Sequence, residues 1–393
     1  MDYNPFLPEV QDNPYPYYAY LRRHAPVYLV PDVGMWAISR YDEVLSILRN
    51  PQVFSSSILT AAMTGDLYPF SPQAAEILSA DPPTHTRLRK LANRAFTPRR
   101  IAGLEAHMRE TVQQLLDQMA THETCDLMRD LAIPLPGIAI AELLGVPVER
   151  RQDFRRWSDH IARGFNGTAL SADERTESRQ SITDLHAYLR AAIETYRKRP
   201  SDTFLSDLVR AEEEEQRLTA DEVLNLAVIT LGAGNETTTN LIGNAMLALF
   251  DYPEQMAKVR ANPTLVSNLV EEALRYEPPV QWFPRLTTQE VTLADTTLPA
   301  GTVIMAMFAS ANRDERKFPD SERFDISRNA DGHVTFGFGV HFCLGAQLAR
   351  LEGRVVLEML LQRFPRLARA EGPVLRMQNP SLRGLKTLPL MLT

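Results

Sequence analysis

Apolar positions along the chain recur mostly with the three-to-four-residue period of a helix. The segments Asp42–Leu48, Thr86–Phe96, Ile101–Met119, Ile182–Tyr196, Ala220–Phe250, Leu265–Tyr276 and Gly345–Phe364 carry that period. Strand-like alternation is sparse. Pro26–Arg40 reads as a hairpin turning at Asp32-Val33-Gly34, and Glu290–Ser310 as short strands around Pro299-Ala300-Gly301. The Pro-rich stretches Asn4–Pro16, Asp81–Pro83, Glu277–Pro284 and Phe318–Pro319 read as ordered connectors. The acidic run Glu212–Glu215 reads as a solvated loop or helix end. The pattern predicts a mainly α protein with small β-sheets near the N-terminus and again after the middle, and no internal repeat.

Ala220–Phe250 is the most informative helix. Thr219 and Glu222 have the spacing of a capping box, and Pro253 closes the far end. About 30 residues would span about 45 Å, enough to cross a domain. Both ends are apolar, yet the middle reads Gly232-Ala233-Gly234-Asn235-Glu236-Thr237-Thr238-Thr239. Glycine and threonine weaken a helix, and an acid there is costly to bury. A solvated face or a tight helix crossing would explain such a stretch, but a functional site explains it better.

The 393 residues include 42 basic and 49 acidic side chains, a net charge of −7. The balance is that of a globular protein and excludes disorder, collagen and coiled coil. Mild acidity gives no reason to expect nucleic acid. The start Met1-Asp2-Tyr3-Asn4-Pro5 has no basic n-region, and no apolar run is long enough to span a membrane. Cys125 and Cys343 are too few for a disulfide framework. A soluble, cytoplasmic monomer is expected.

The candidate chemistry lies in Phe336-Gly337-Phe338-Gly339-Val340-His341-Phe342-Cys343-Leu344-Gly345. Its glycines let the backbone approach a flat partner closely. Cys343 precedes a helix N-terminus, which favours a thiolate, and Phe336 and Phe342 would keep water off the sulfur. One thiolate is a poor zinc site, and neither CxxC nor HExxH occurs. A catalytic pair with His341, two residues away, has awkward geometry. A single axial thiolate on a haem iron remains. Cys125 reads as a buried apolar residue.

This loop resembles the haem-binding signature of the cytochrome P450 family through Phe336, Gly339, Cys343 and Gly345. Glu272-Ala273-Leu274-Arg275 resembles the family's Glu-x-x-Arg motif, and Ala233–Thr237 its oxygen-activation stretch. Asp81–Arg89 resembles the helix that meets the haem propionates, and Ala311–Phe324 the segment before the cysteine loop. The resemblance covers nearly the whole chain. It implies the cytochrome P450 fold, a single domain over 1–393 with a long central helix over a buried haem b. It implies Cys343 as iron ligand and His85, Arg89, Arg285 and His341 as propionate contacts. Glu236 and Thr237 would be the acid–alcohol pair that delivers protons, with Ala233 and Gly234 leaving room above the iron. Glu272 and Arg275 would form a buried structural pair that also engages Arg323. The family often has proline where Ser321 stands, which bears on the stiffness of that loop.

Family topology would place pocket walls at Ser56–Ala80, around Phe165–Leu170, at Ala233, at Val280, Gln281, Trp282 and Phe283, and near Ser381–Leu382. Thr60–Pro72 and Gly164–Ser171 would act as lids. The resemblance implies a monooxygenase that uses O2 to hydroxylate or epoxidise a medium-to-large lipophilic substrate of fatty acid, terpenoid, steroid or macrolide class. Electrons would come from a ferredoxin or flavodoxin with a separate reductase, steered by Arg89, Lys90, Arg94 and Arg350. A peroxide-driven peroxygenase and a haem-binding sensor or carrier are the competing readings. Glu236 and Thr237 speak against both.

Overall fold

The computed structural model describes residues 1–64, 67, 69–165, 170–210 and 218–392. The run Glu212–Glu215, Tyr68, and the parts of the two expected lids at 65–66 and 166–169 lie outside the described residues. The chain forms two compact units. One comprises Met1–Phe54, Glu105–Leu135 and Thr237–Thr393; the other comprises Ser55–Leu104 and Pro136–Glu236.

In the first unit the expected hairpin pairs Val27–Leu29 with Trp36–Ile38, Tyr28 opposite Ala37, and turns through Asp32 and Gly34 at positive φ. Trp36–Ile38 runs parallel to Val303–Ala306, which pairs antiparallel with Phe283–Thr287; Phe54–Ser55 forms the far edge. Alternate residues face opposite sides. Ile38, Ile304 and Ala306 pack with Val44, Ile47 and Phe308. Ala37 and Met305 pack with Tyr3, Tyr15, Tyr18, Leu21 and Trp282 on the other face. The helices Glu105–Met119, Val266–Tyr276 and Ala346–Arg363 also belong to this unit.

Three sequence expectations are corrected. Asn4–Pro16 is not a connector: Pro8–Asp12 and Tyr15–His24 are helices with proline in their first turns. An N-terminal turn needs no N–H from those positions, so proline starts a helix there. Ile101–Met119 is two helices, Pro98–Gly103 and Glu105–Met119, the first capped by Thr97, whose hydroxyl accepts the Arg100 N–H. Ile182–Tyr196 is the end of a longer helix, Ala172–Lys198, whose start is fixed by a Ser171–Glu174 capping box. Helices at Pro134–Leu143, Arg151–Phe165, Phe204–Arg210 and Pro253–Ala261 were not anticipated.

The central helix runs over Ala220–Asp251, and its capping box forms as expected: Glu222 Oε2 accepts the Thr219 N–H at 2.8 Å, and Thr219 Oγ1 accepts the Glu222 N–H at 3.2 Å. In the second unit its buried Asn225 accepts the Ser71 N–H at 2.7 Å and donates to the Ser71 and Ala74 carbonyls at 3.2 Å, pinning that loop. Among the described residues no helix is long and apolar enough to cross a membrane.

Candidate active site

The weak middle of the central helix is also its accessible part. From Glu222 to Leu249, every residue is buried except Thr230, Ala233, Gly234, Glu236 and Thr237. Thr230, Ala233, Gly234 and Thr237 recur at i, i+3, i+4 and i+7, so they share one face. Asn235 turns away and donates to Ser158 Oγ at 2.8 Å. An otherwise buried helix therefore leaves one small, polar stripe partly uncovered, with the alcohol of Thr237 on it and the acid of Glu236 at its flank. Gly234 packs on Ile140, whose Cδ1 would lie 2.8 Å from an added Cβ, so the room expected there is filled.

The cysteine loop is shaped by glycines. Gly337 and Gly339 have φ of 70° and 68°, and a Cβ on Gly339 would lie 2.8 Å from the Leu48 carbonyl oxygen. A single turn at Gly339–His341 follows, and the Cys343 N–H donates to the Phe336 carbonyl at 2.8 Å. The helix Ala346–Arg363 opens directly after, with Gly345 as N-cap. Cys343 is exposed. Phe338, Val340 and Phe342 are 41%, 38% and 39% exposed, so packing within the loop does not shield the sulfur as the sequence suggested for Phe342. Cys125 is the opposite case: it lies in the strand Thr124–Asp126, and burial, then Asp130 and Asp126, push its thiol up to about 12. Among the described residues no group of three His, Cys, Asp or Glu could hold a metal ion.

The four expected propionate contacts lie two in each unit. His85 and Arg89 stand one turn apart on the helix Thr84–Ala95. His85 is 1% exposed, and burial, then the charge of Arg89, push its imidazole down to about 4. Arg89 Nε donates to Asn93 Oδ1 at 3.1 Å. In the first unit Arg285 is buried on the strand Phe283–Thr287 and donates to the Pro284 carbonyl at 2.8 Å, while His341 closes the turn of the cysteine loop. In the second unit Arg87, on the same helix as His85, pairs with the buried Glu222. Arg350 is held by Glu271 at 2.6 and 2.9 Å, which diminishes its expected steering charge.

Glu272 and Arg275 are both 0% exposed and joined by two hydrogen bonds of 2.7 and 2.8 Å. Arg275 also donates to the carbonyls of Asn312 and Ser321 at 2.9 Å and of Arg323 at 3.1 Å. The expected third partner is corrected. Arg323 offers only its carbonyl, and the guanidinium that reaches Glu272 is that of Arg328, at 3.4 Å. Its position four residues beyond Phe324 gave the sequence no reason to single it out. Ser321 donates to the Arg313 carbonyl at 2.7 Å, a side-chain tie where the family often has a ring.

The two expected wall segments in this unit do meet. Val280 bridges Leu382, and the Gln281 N–H donates to the Ser381 carbonyl at 2.8 Å. Gln281 and Trp282 turn their side chains to the N-terminal helices. Gln281 accepts from Tyr18 at 3.1 Å, and Trp282 donates to the Pro380 carbonyl at 2.6 Å and packs in the tyrosine-rich cluster. Val280 and Phe283 pack on the other face of the sheet.

A family model for cytochrome P450 matches residues 168–393. The cytochrome P450 monooxygenase PikC of Streptomyces venezuelae is 40% identical, over 96% of this chain and 91% of its own. The vitamin D(3) 25-hydroxylase of Pseudonocardia autotrophica is 41% identical, over 96% and 93%. The solved structure of CYP109Q5 from Chondromyces apiculatus superimposes with a TM-score of 0.93 at 40% identity, covering 100% of this chain and 98% of that one. The chain belongs to the cytochrome P450 family.

It is thus a P450 monooxygenase with the P450 fold, an enzyme class whose cofactor is haem with a cysteine-ligated iron. The residues present fit that cofactor. The loop offers a single accessible thiol, and exposed apolar side chains suited to a flat macrocycle surround it. A Cβ added to Gly345 would meet no atom within 4 Å, leaving open space at the helix N-terminus. In the same unit as the loop, buried Arg285 supplies a donor suited to a carboxylate.

Proposed function

We propose that this P450, as one domain over residues 1–393, hydroxylates or epoxidises a medium-to-large lipophilic substrate with O2. Electrons come from a separate ferredoxin-type system, and the enzyme works in the cytoplasm as a monomer. The observation that carries the reading is the accessible stripe of the central helix, with Ala233 exposed and Glu236 and Thr237 half-buried in an otherwise buried rod. Bound haem supplies a thiolate-ligated iron able to activate O2.

Cys343 provides the ligand in this reading, since the thiol of Cys125 is buried and held protonated. His85, Arg89, Arg285 and His341 hold the propionates. The Thr237 hydroxyl accepts and passes on a proton, and the Glu236 carboxyl replenishes it from solvent. Exposed Ala233 keeps the distal side open, whereas Gly234 serves packing instead: a Cβ there would lie 2.8 Å from Ile140 Cδ1. Val280 and Phe283 contribute apolar wall, while Gln281 and Trp282 support that wall from behind through Tyr18 and the Pro380 carbonyl. A lipophilic substrate accords with such walls, and one relative is named for vitamin D(3).

The test is turnover of a lipophilic library with a ferredoxin, its reductase and a nicotinamide donor, in wild type and Thr237→Ala. The expected variant consumes electrons but loses about 10²-fold in product, the size of a lost proton-transfer group. Undiminished product in the variant, driven by peroxide alone, would replace this reading with a peroxygenase.

A further inference from the structure

Glu271 sits beside the Glu272–Arg275 pair but faces another way, because adjacent helical residues diverge by about 100°. Its carboxylate takes two hydrogen bonds from Arg350, at 2.6 and 2.9 Å, and one from His333 Nε2 at 3.1 Å. The His333 tautomer follows from its partners: the Thr335 N–H donates to Nδ1 at 3.3 Å, so Nε2 carries the proton. Burial raises the Glu271 carboxyl, but the bonds from His333 and Arg350 outweigh it and bring it to about 2. The site is therefore ionised at any working pH.

Both partners of Glu271 converge on one ring. The Arg350 guanidinium lies 4.5 Å from the Phe336 ring centroid, and the His333 ring lies 5.9 Å away. The Phe342 ring also lies against it, with centroids 6.2 Å apart. The carbonyl of Phe336 is the acceptor for the Cys343 N–H. A continuous path thus runs from the helix Val266–Tyr276, through Glu271 and its two donors, to the peptide that presents the thiol. Cation–π contact and a bidentate carboxylate fix Arg350 in plane and depth, so the ring below it cannot slide.

We propose that Glu271, acting through Arg350 and His333, is a positioning residue that locks Phe336 and thereby the backbone presenting Cys343 to the iron. The two neighbouring glutamates divide the work: Glu272 anchors the coil from Asn312 to Arg328, and Glu271 anchors the cysteine loop. This rests on Cys343 being the haem ligand.

The experiment uses the haem-loaded full chain. The ligand assignment is checked separately by the reduced carbonyl spectrum: a strongly red-shifted Soret band in wild type, lost in Cys343→Ser. Absence of that band in wild type overturns both readings. The clamp is read from the rate at which the thiolate-type carbonyl band converts to the thiol type on mild heating, and from the midpoint reduction potential without partner. Glu271→Gln and Arg350→Ala are expected to convert about tenfold faster, the size of an effect transmitted through a ligand's supports, and to shift the potential. Arg350→Lys, which keeps a cation over the ring, restores part of the wild-type rate. Arg109→Ala removes a Glu358 pair made to the same helix (3.0 Å) and leaves both readouts unchanged. The isosteric Glu271→Gln keeps the test open if Arg350→Ala does not load haem. Wild-type rate and potential in Glu271→Gln, or an equal change in Arg109→Ala, overturns the clamp.

Discussion

Arg275 holds Glu272 in a two-bonded ion pair from which solvent is wholly excluded, at 2.7 and 2.8 Å. The Arg275 guanidinium also serves three carbonyls, from Asn312, Ser321 and Arg323. Removing it strands a buried carboxylate and those acceptors together. Arg275→Ala should therefore cost about 3–5 kcal/mol, the range for breaking one side of a buried pair. Arg275→Lys should not rescue it, because an ammonium cannot reproduce the planar fork. Urea denaturation measures both. A loss below about 1 kcal/mol would place the pair among surface bridges.

What the residues disclosed beforehand follows how local each signal is. The central helix, the hairpin and the cysteine loop each rest on a contiguous pattern: a capping box with apolar ends, a positive-φ turn, glycines around one thiol. These were legible. Arg328 was not, because its partner Glu272 is 56 residues away in sequence and no spacing rule connects them. The N-terminal helices were hidden by prolines, whose reading as breakers or starters depends on where the first turn falls. Gln281 and Trp282 lie in the expected segment, but their orientation depends on Tyr18 and Pro380, which only the folded chain brings near.

The two thiols should differ sharply in reactivity. Cys343 is exposed, while Cys125 is 8% exposed with its thiol pushed up to about 12. At pH 8 the thiolate fraction of Cys125 is then about 10⁻⁴. Iodoacetamide should label one thiol per native, cofactor-free chain, none in Cys343→Ser, and two in denaturant. Loading with haem should protect Cys343. Mass spectrometry showing Cys125 alkylated at a comparable rate would contradict the burial described.

Two glycines of the cysteine loop should respond differently to alanine. Gly339 combines a φ of 68° with a Cβ position 2.8 Å from a backbone oxygen, which cannot move aside as a flexible side chain could. Gly339→Ala should cost about 1–3 kcal/mol in thermal unfolding. Gly345 has φ −85° and no atom within 4 Å of an added Cβ, so Gly345→Ala should leave the cofactor-free fold unchanged. Its haem uptake should fall, since that open space borders the thiol. Full haem loading in Gly345→Ala would show that the space is not the cofactor's.

His85 gives the pH dependence with the clearest sign. Its imidazole is pushed from an ordinary 6.5 down to about 4, by burial and then by Arg89. Between those values the unfolded chain binds a proton that the folded chain does not. Stability from this group is therefore complete above about pH 6.5, is lost as pH falls through that window, and changes no further below about pH 4. The full effect is about 3 kcal/mol, at 1.36 kcal/mol per pKa unit. In cofactor-free protein, wild type should lose stability between pH 7 and pH 4.5, and His85→Gln should lose less. In the haem-loaded protein a propionate beside His85 favours the charged imidazole, so the difference between the two should shrink. Denaturation midpoints across that range, with and without haem, measure both slopes. Equal slopes for wild type and variant in the cofactor-free protein would remove the buried neutral histidine. A difference unchanged by haem would remove its contact with the propionate.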